Sequence, residues 1–288
     1  MVNVRQVSIG IADLFLFLLL FSLSLLLLSL PMALIPPACL PYPNWTSPFI
    51  NEFLMLLSVV VSSWVMLRWR HHSLSRLGFR LEPKDALFGL LLGAAMIAVG
   101  FLLQWGLGQI KVVPWHLADR GSSWEIGLLF ALLCYILVAW VEEMMVRGFI
   151  LGRMLDAGIH RELAWVVSSL LFSMLHFFNP DFSLLSFINI FLAGLMLGAS
   201  YLYTRNLWFP VALHFSWNFA QGSIFGYEVS GTSVFPSLIC QDAVDATLWN
   251  GGDFGFEGSL TCTLLLLVAT ASVRYAFRQR HSTIPPMK

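Results

Sequence analysis

Long apolar runs separated by short polar stretches follow one another along almost the whole chain. Most of these runs have the roughly 20 residues that a bilayer-crossing helix needs. Eight runs can be distinguished, at residues 11–32, 50–68, 86–107, 124–157, 163–178, 182–203, 207–224 and 259–278. The pattern therefore predicts an all-α, polytopic membrane protein with about eight transmembrane helices.

The composition supports a membrane protein. Hydrophobic residues make up 58% of the 288 residues and charged residues only 11%, whereas about a quarter of a typical soluble domain is charged. The formal net charge is +0, and no basic stripe is interleaved with aromatic residues, so nucleic-acid binding is excluded. We expect a multi-pass protein of the cell membrane, surrounded by the lipid bilayer.

The basic residues of the predicted loops are distributed unequally between the two sides of the membrane. If the N-terminus is cytoplasmic, the outer loops receive only Lys111 and Arg120, and Arg147 lies inside a run. The other 13 basic residues then fall on the cytoplasmic side: Arg5, Arg68, Arg70, Arg76, Arg80, Lys84, Arg153, Arg161, Arg205, Arg274, Arg278, Arg280 and Lys288. Because cytoplasmic loops are enriched in Lys and Arg, we expect both termini in the cytoplasm.

Few ionisable residues remain inside the apolar runs. A charge at the centre of a membrane helix costs about 2.5–3.5 kcal/mol on insertion scales, so such residues usually pair with one another or mark a functional site. The candidates on three predicted helices, together with one strong amide, are Glu142, Glu143, Arg147, His176, His214 and Asn218.

The spacing of these candidates indicates how they divide between roles. Glu143 and Arg147 are four apart and face each other in the favourable order, so a structural ion pair is one interpretation. Glu142 points about 100° away and is left without that partner. His214 and Asn218 are also four apart and share a helix face. For each histidine, a hydrogen-bonded packing role is the alternative to a functional one.

Depth in the membrane tests whether the three helices can bring these groups together. At 1.5 Å per residue from the inner loops, His214 lies roughly 12 Å deep, Asn218 roughly 18 Å and His176 roughly 20 Å. Glu142 reaches roughly 22 Å, provided that its helix continues to about Ala157. A single polar cluster is therefore feasible.

Such a cluster supports hydrolysis in either of two versions. A carboxylate beside two imidazoles can bind and deprotonate a water molecule, while neighbouring donors stabilise an oxyanion. In the second version, Glu142, His176 and His214 form a His₂Glu ligand set for Zn²⁺ with an open position for water. Both versions indicate cleavage of an amide bond, and the sequence leaves open whether zinc is required.

Three motifs carry a resemblance to a known family. "EEMMVR" at 142–147 matches E-E-x-x-x-R, "FSMLH" at 172–176 matches F-x-x-x-H, and "HFSWN" at 214–218 matches H-x-x-x-N. In this order on successive membrane helices, they resemble the CPBP family of intramembrane proteases. That family includes the CAAX prenyl endopeptidases and bacterial relatives, some linked to bacteriocin self-immunity.

The resemblance implies a role for each motif residue. Glu142 would activate the water, with Glu143 and Arg147 supporting it. His176 would share the water, and the two ends of the H-x-x-x-N motif would hold the oxyanion. The implied activity is that of a CAAX-like membrane endopeptidase, glutamate-dependent or metal-dependent. Its substrate would be a membrane-associated peptide or protein, with or without a lipid modification.

The chain divides into four expected regions. Residues 1–84 form a two-helix membrane segment with a basic cytoplasmic loop, and residues 85–225 form the catalytic membrane core. Residues 226–258 are an outer loop, for which a mobile, solvated loop is the default expectation and a segment that caps the site or engages a partner is the alternative. Residues 259–288 are a last helix with a basic tail. Cys39 and Cys240 both fall outside, so a disulfide between them is conceivable.

A non-enzymatic membrane protein is the competing hypothesis. An immunity factor, a scaffold or a small-solute carrier could bind a ligand with the same polar cluster without cutting it. Carriers tend to show inverted repeats with helices broken by Gly or Pro in matching halves. No such pair is visible in this sequence, which favours the enzyme.

Overall fold

Helices dominate the structure, a computed structural model that describes residues 4–34, 45–113 and 124–282. The apolar runs of the sequence become helices because a helix satisfies its own backbone hydrogen bonds, as a bilayer requires. Within the described ranges the α-helices are α1 (Val4–Ala33), α2 (Thr46–Trp69), α3 (Pro83–Gly106), α4 (Trp124–Glu143), α5 (Gly152–Asp156), α6 (Arg161–Leu175), α7 (Leu184–Thr204), α8 (Trp208–Phe219) and α9 (Leu260–Ser282).

Two π-helical segments extend the helices that carry the glutamate pair and the H-x-x-x-N motif. Met144–Leu151 joins α4 to α5, so one helical run extends from Trp124 to Asp156. The predicted continuation of this helix to about Ala157 is thereby confirmed. Ala220–Ile224 follows α8 directly. Short 3₁₀ turns at Leu74–Leu77, Gly252–Phe254 and Phe256–Gly258 complete the helical elements of the described residues.

The helices support a multi-pass membrane protein. Among the described residues, six helical segments are long and apolar enough to cross a bilayer: α1, α2, α3, the run from α4 to α5, α7 and α9. By contrast, α6 has 15 residues and α8 has 12, fewer than the roughly 20 of a typical span. The count of eight spans and the cytoplasmic position of both termini stay predictions.

The segment after α8 folds back onto the helices. Strand β2 (Cys240–Ala243) pairs antiparallel with β1 (Ile110–Val113), and Phe254 and Phe256 are buried in the core. These two aromatic side chains pack into the core, so the segment is not fully solvated as expected. Cys39 lies outside the described residues, and Cys240 is a free thiol.

Small residues allow α3 to pack closely on α8. A Cβ atom at Gly89 or Gly93 would collide with the backbone of α8, which runs along this face of α3. Glycines four apart permit such close approach of membrane helices. This contact fixes the position of α8, which carries His214 and Asn218 on its other side.

At one end of the helical bundle, two largely buried carboxylates each bind two guanidinium groups. The Asp13 side chain is 2% exposed although it lies within the first apolar run. Asp156 accepts a hydrogen bond from Arg76, and this bond raises the pKa of the Arg76 guanidinium. These pairs link α5 to α1, to the 3₁₀ turn Leu74–Leu77 and to the end of α7, and α1 to the end of α2. We call them the ion-pair cluster, namely Asp13 with Arg70 and Arg153, and Asp156 with Arg76 and Arg205.

Candidate active site

A cavity of about 450 Å³ lies among the helices, and four of the six predicted site residues line it: Glu142, His176, His214 and Asn218. Its walls come from α1, α2, α4, α6, α7 and α8 and from the segment after α8, and most of the lining is apolar. Glu143 and Arg147 are buried behind this wall. The structure thus brings the polar residues of three helices to one place.

The Glu142 carboxylate faces both histidines. Its Oε2 atom lies 3.8 Å from Nε2 of His176 and 3.9 Å from Nε2 of His214. These distances are too long for direct hydrogen bonds. Oε2 is buried and accepts no hydrogen bond from the described residues. The spacing fits a small polar molecule held between the three atoms.

The opposite nitrogen of each ring is fixed by a partner. Nδ1 of His176 lies 2.9 Å from the carbonyl oxygen of Phe172, and Nδ1 of His214 lies 2.9 Å from Oε1 of Glu143. A carbonyl or carboxylate oxygen accepts, so Nδ1 is the donor in both rings. In the neutral tautomer, each Nε2 therefore turns a lone pair toward Glu142.

Glu143 and Arg147 form the expected ion pair. Nη1 of Arg147 donates to Oε1 of Glu143 at 2.7 Å, and their side chains are 1% and 0% exposed. Nη2 of Arg147 donates to the carbonyl oxygen of Gly194 on α7 at 3.2 Å. Oε1 of Glu143 thus accepts from a guanidinium and an imidazole at once, which links the pair to His214.

The phenylalanine of the F-x-x-x-H motif packs against the charged residues of the site. The guanidinium of Arg147 lies 4.3 Å from the centre of the Phe172 ring, within the range of a cation–π interaction. The rings of His176 and His214 approach Phe172 edge-on, with centroids at 5.0 and 6.1 Å. Phe172 therefore fixes ring orientations in addition to supplying a carbonyl oxygen.

Sequence reasoning missed both π-helical segments. Met144–Leu151 begins directly after Glu143, and Ala220–Ile224 begins two residues after Asn218. Such segments are rare and concentrate at functional sites. Hydrophobic periodicity over so few residues does not distinguish them from α-helix, so the sequence carried no usable signal for them.

Two further carboxylates that sequence reasoning missed also line the cavity. Glu52 lies on α2 and interacts unfavourably with the charge of Glu142, and Glu257 lies in the segment after α8. Among the described lining residues there is no Lys or Arg. Glu52 sits near the edge of an apolar run, in "NEFLML", and its position there was the one signal that could have identified it.

The three candidate zinc ligands do not fit a zinc site in this arrangement. Ligands at about 2.0–2.2 Å from tetrahedral Zn²⁺ lie roughly 3.3–3.6 Å from one another, whereas Oε2 of Glu142 is 3.8 and 3.9 Å from the two Nε2 atoms. Among the described residues, no group of three or more His, Cys, Asp and Glu side chains is arranged to hold a metal ion.

Comparison with known proteins points to one family. Residues 123–220 match the model of the family described as type II CAAX prenyl endopeptidase Rce1-like. A comparison with curated proteins finds no match. The matched segment runs from the start of α4 to the end of α8 and contains all three motifs. The match confirms the resemblance to the CPBP family, and at the family level it supports a CAAX-protease-like peptidase in a multi-pass membrane protein.

Proposed function

We propose that this protein is a membrane endopeptidase that hydrolyses a peptide bond with a water molecule activated by Glu142. The observation that carries the proposal is the convergence of Oε2 of Glu142 and Nε2 of His176 and His214, at 3.8 and 3.9 Å, in one cavity of about 450 Å³. Oε2 of Glu142 and Nε2 of His176 offer lone pairs to the two hydrogens of a water molecule, which has the size to bridge them, and His214 is left to stabilise the oxyanion.

The chemistry then proceeds in two proton transfers. Glu142 accepts a proton from the water, whose oxygen bonds to the carbonyl carbon of the peptide. The carbonyl oxygen becomes an oxyanion. When the carbon–nitrogen bond breaks, Glu142 returns the proton to the leaving nitrogen, so that the carboxylate is regenerated. His176 orients the water through its Nε2 lone pair, because Nδ1 donates to Phe172.

The oxyanion is stabilised by donors on α8. The Asn218 amide lines the cavity one helical turn after His214. Nε2 of His214 donates only when the ring carries both protons, and the carboxylate of Glu143 at Nδ1 stabilises that form. Arg147 holds Glu143 in place. Fixed donors of this kind stabilise developing charge without reorganisation.

The cavity indicates the class of substrate. Its lining is mainly apolar, with wall residues from α1, α2 and α7, so we infer a hydrophobic, membrane-associated peptide or protein, with or without a lipid modification.

We further propose that α6 and α8 cross much of the bilayer as short spans. That makes eight spans with both termini in the cytoplasm, and residues 85–225 form the catalytic core.

The test is cleavage of a fluorogenic membrane peptide by the purified protein in proteoliposomes. Glu142→Gln and His176→Ala should each lower turnover at least about a hundredfold, since a positioned general base contributes about 10²–10⁴ in rate. The matched control is Glu228→Gln, a glutamate outside the cavity, which should leave turnover within about twofold. Equal turnover by wild type, Glu142→Gln and His176→Ala rejects the proposal and favours a binding protein.

A further inference from the structure

A tight turn in the segment after α8 forms part of the wall of the cavity. Val229 and Thr232 exchange both of their backbone hydrogen bonds, at 2.9 and 3.0 Å. The two residues between them, Ser230 and Gly231, have φ angles of 49° and 79°, as a type I′ turn requires. Val229, Ser230 and Thr232 line the cavity together with Glu142. We call residues 229–232 the cavity turn.

Glu257 binds the cavity turn with one carboxylate oxygen and α8 with the other. Oε2 accepts from the backbone nitrogen and the hydroxyl of Ser230, both at 2.8 Å. Oε1 accepts from the indole nitrogen of Trp217 at 3.1 Å. Trp217 lies on α8 between His214 and Asn218 and is 5% exposed. One side chain therefore ties the turn to the helix that carries two candidate site residues.

Further bonds attach both the turn and Glu257 to their surroundings. Asn179 donates from Nδ2 to the Ser230 carbonyl oxygen at 3.1 Å, and its own backbone nitrogen donates to the carbonyl oxygen of His176 at 3.0 Å. Asn189 of α7 donates from Nδ2 to the Glu257 carbonyl oxygen at 2.8 Å. The polar groups of the turn are thus occupied by the protein, as expected of a preformed wall.

We propose that Glu257 is a positioning residue of the active site, which clamps the cavity turn so that it fixes how the substrate peptide lies against Glu142. The inference rests on the proposed endopeptidase function. Glu257 and the turn lie outside the family match at residues 123–220, so this is a feature of the present chain beyond the shared motifs. Glu257 acts through Ser230 and Trp217 and takes no part in the proton transfers.

The physical role of the clamp predicts which kinetic constant it affects. Hydrogen bonds to a charged acceptor are about twice as strong as neutral ones, and removing the carboxylate leaves the donors of Ser230 and Trp217 unpaired. The turn then moves away from the cavity. Substrate binding weakens, whereas the atoms that perform the chemistry stay in place, so KM should rise more than kcat falls.

The kinetic experiment compares Glu257→Ala, Glu257→Gln and Ser230→Ala with the control Glu228→Gln in proteoliposomes. We expect Glu257→Ala to raise KM about tenfold with kcat within about threefold, and Glu257→Gln to have a smaller effect because its amide oxygen can still accept. Adding Ser230→Ala to Glu257→Ala should raise KM little further, because both substitutions remove the same interaction between Ser230 and Glu257. A KM for Glu257→Ala equal to that of Glu228→Gln overturns the proposal.

Amide hydrogen exchange gives a readout that does not depend on catalysis. The Ser230 amide donates to Glu257, so its exchange should be at least about tenfold faster in Glu257→Ala than in wild type. If Glu257→Ala does not fold, Glu257→Gln serves instead, and exchange of this amide should be about twofold to fivefold faster in that variant. The amides of α8 should keep their protection in both. Unchanged exchange at residues 229–232 overturns the clamp. If wild type cleaves no peptide, the endopeptidase proposal fails, and accelerated exchange still shows that Glu257 holds the turn.

Discussion

Two regions of this molecule hold charged side chains inside an otherwise apolar protein, and they hold them differently. In the ion-pair cluster, Asp13 is 2% exposed and binds two guanidinium groups. In the cavity, Glu142 is 25% exposed, and its Oε2 atom lies beyond hydrogen-bond distance of Nε2 of His176 and His214 and accepts no hydrogen bond from the described residues. A carboxylate with complete partners stabilises the packing of helices, whereas one without them is available to a substrate or a water molecule.

A related contrast occurs within a single turn of α4, where Oε1 of Glu143 is paired although its Oε2 accepts no hydrogen bond from the described residues. Glu143 is 0% exposed and accepts from Arg147 at 2.7 Å and from His214 at 2.9 Å, while its neighbour Glu142 faces the cavity. The helical rotation of about 100° per residue separates the two carboxylates. Adjacent residues of one type thereby acquire a structural role and a proposed catalytic role.

The largest expected effect comes from breaking the buried pair. Arg147→Met leaves the Glu143 carboxylate buried without its main partner, which should cost about 3–5 kcal/mol in the free energy of unfolding. The double variant Glu143→Gln/Arg147→Met removes both charges and should recover much of this loss. Unfolding in detergent micelles measures both. A single variant as stable as wild type would contradict the structural role of the pair.

Next in size is the loss of the proposed oxyanion donor. Asn218→Ala should lower kcat about 10²–10³-fold, the usual effect of removing one such donor. Asn218→Asp keeps the shape of the side chain but removes the N–H donor, so it should be similarly impaired. Kinetics in proteoliposomes give the values. An Asn218→Asp enzyme with wild-type kcat would exclude Asn218 from this role.

A smaller effect is expected in the ion-pair cluster. Asp13→Asn leaves the guanidinium groups of Arg70 and Arg153 without their carboxylate, and since Arg70 is partly exposed we expect a loss of about 2 kcal/mol. The matched control is Asp85→Asn, which removes a partly exposed pair with Arg280 and should cost less than about 1 kcal/mol. Equal midpoints of thermal unfolding for the two variants would show that Asp13 stabilises the fold no more than the partly exposed pair does.

The smallest expected effect is that of a metal chelator. Because the spacing of Glu142, His176 and His214 does not fit zinc, dialysis against a strong chelator should leave turnover within about twofold. Turnover is measured before and after dialysis and again after addition of Zn²⁺. Activity that is lost on dialysis and restored by Zn²⁺ would replace the water-only arrangement with the zinc version.

The sequence predicted much of the fold and the centre of the site, because both depend on strong local signals. Long apolar runs specify helices, and a four-residue spacing placed Glu143 beside Arg147. Other features depend on tertiary contacts that no local pattern encodes. Asp13 and Glu52 lie within apolar runs and could have been noticed there. Glu257 could not, since only the folding back of the segment after α8 brings it to the cavity.

The measurement that tests the central claim most directly is a side-by-side comparison of Glu142→Gln and Glu143→Gln. Turnover per folded molecule and the free energy of unfolding are determined for both. Glu142→Gln should lose at least about a hundredfold in turnover with unchanged stability, whereas Glu143→Gln should lose stability because Arg147 stays buried without its carboxylate. Turnover by Glu142→Gln within about threefold of wild type would contradict the account.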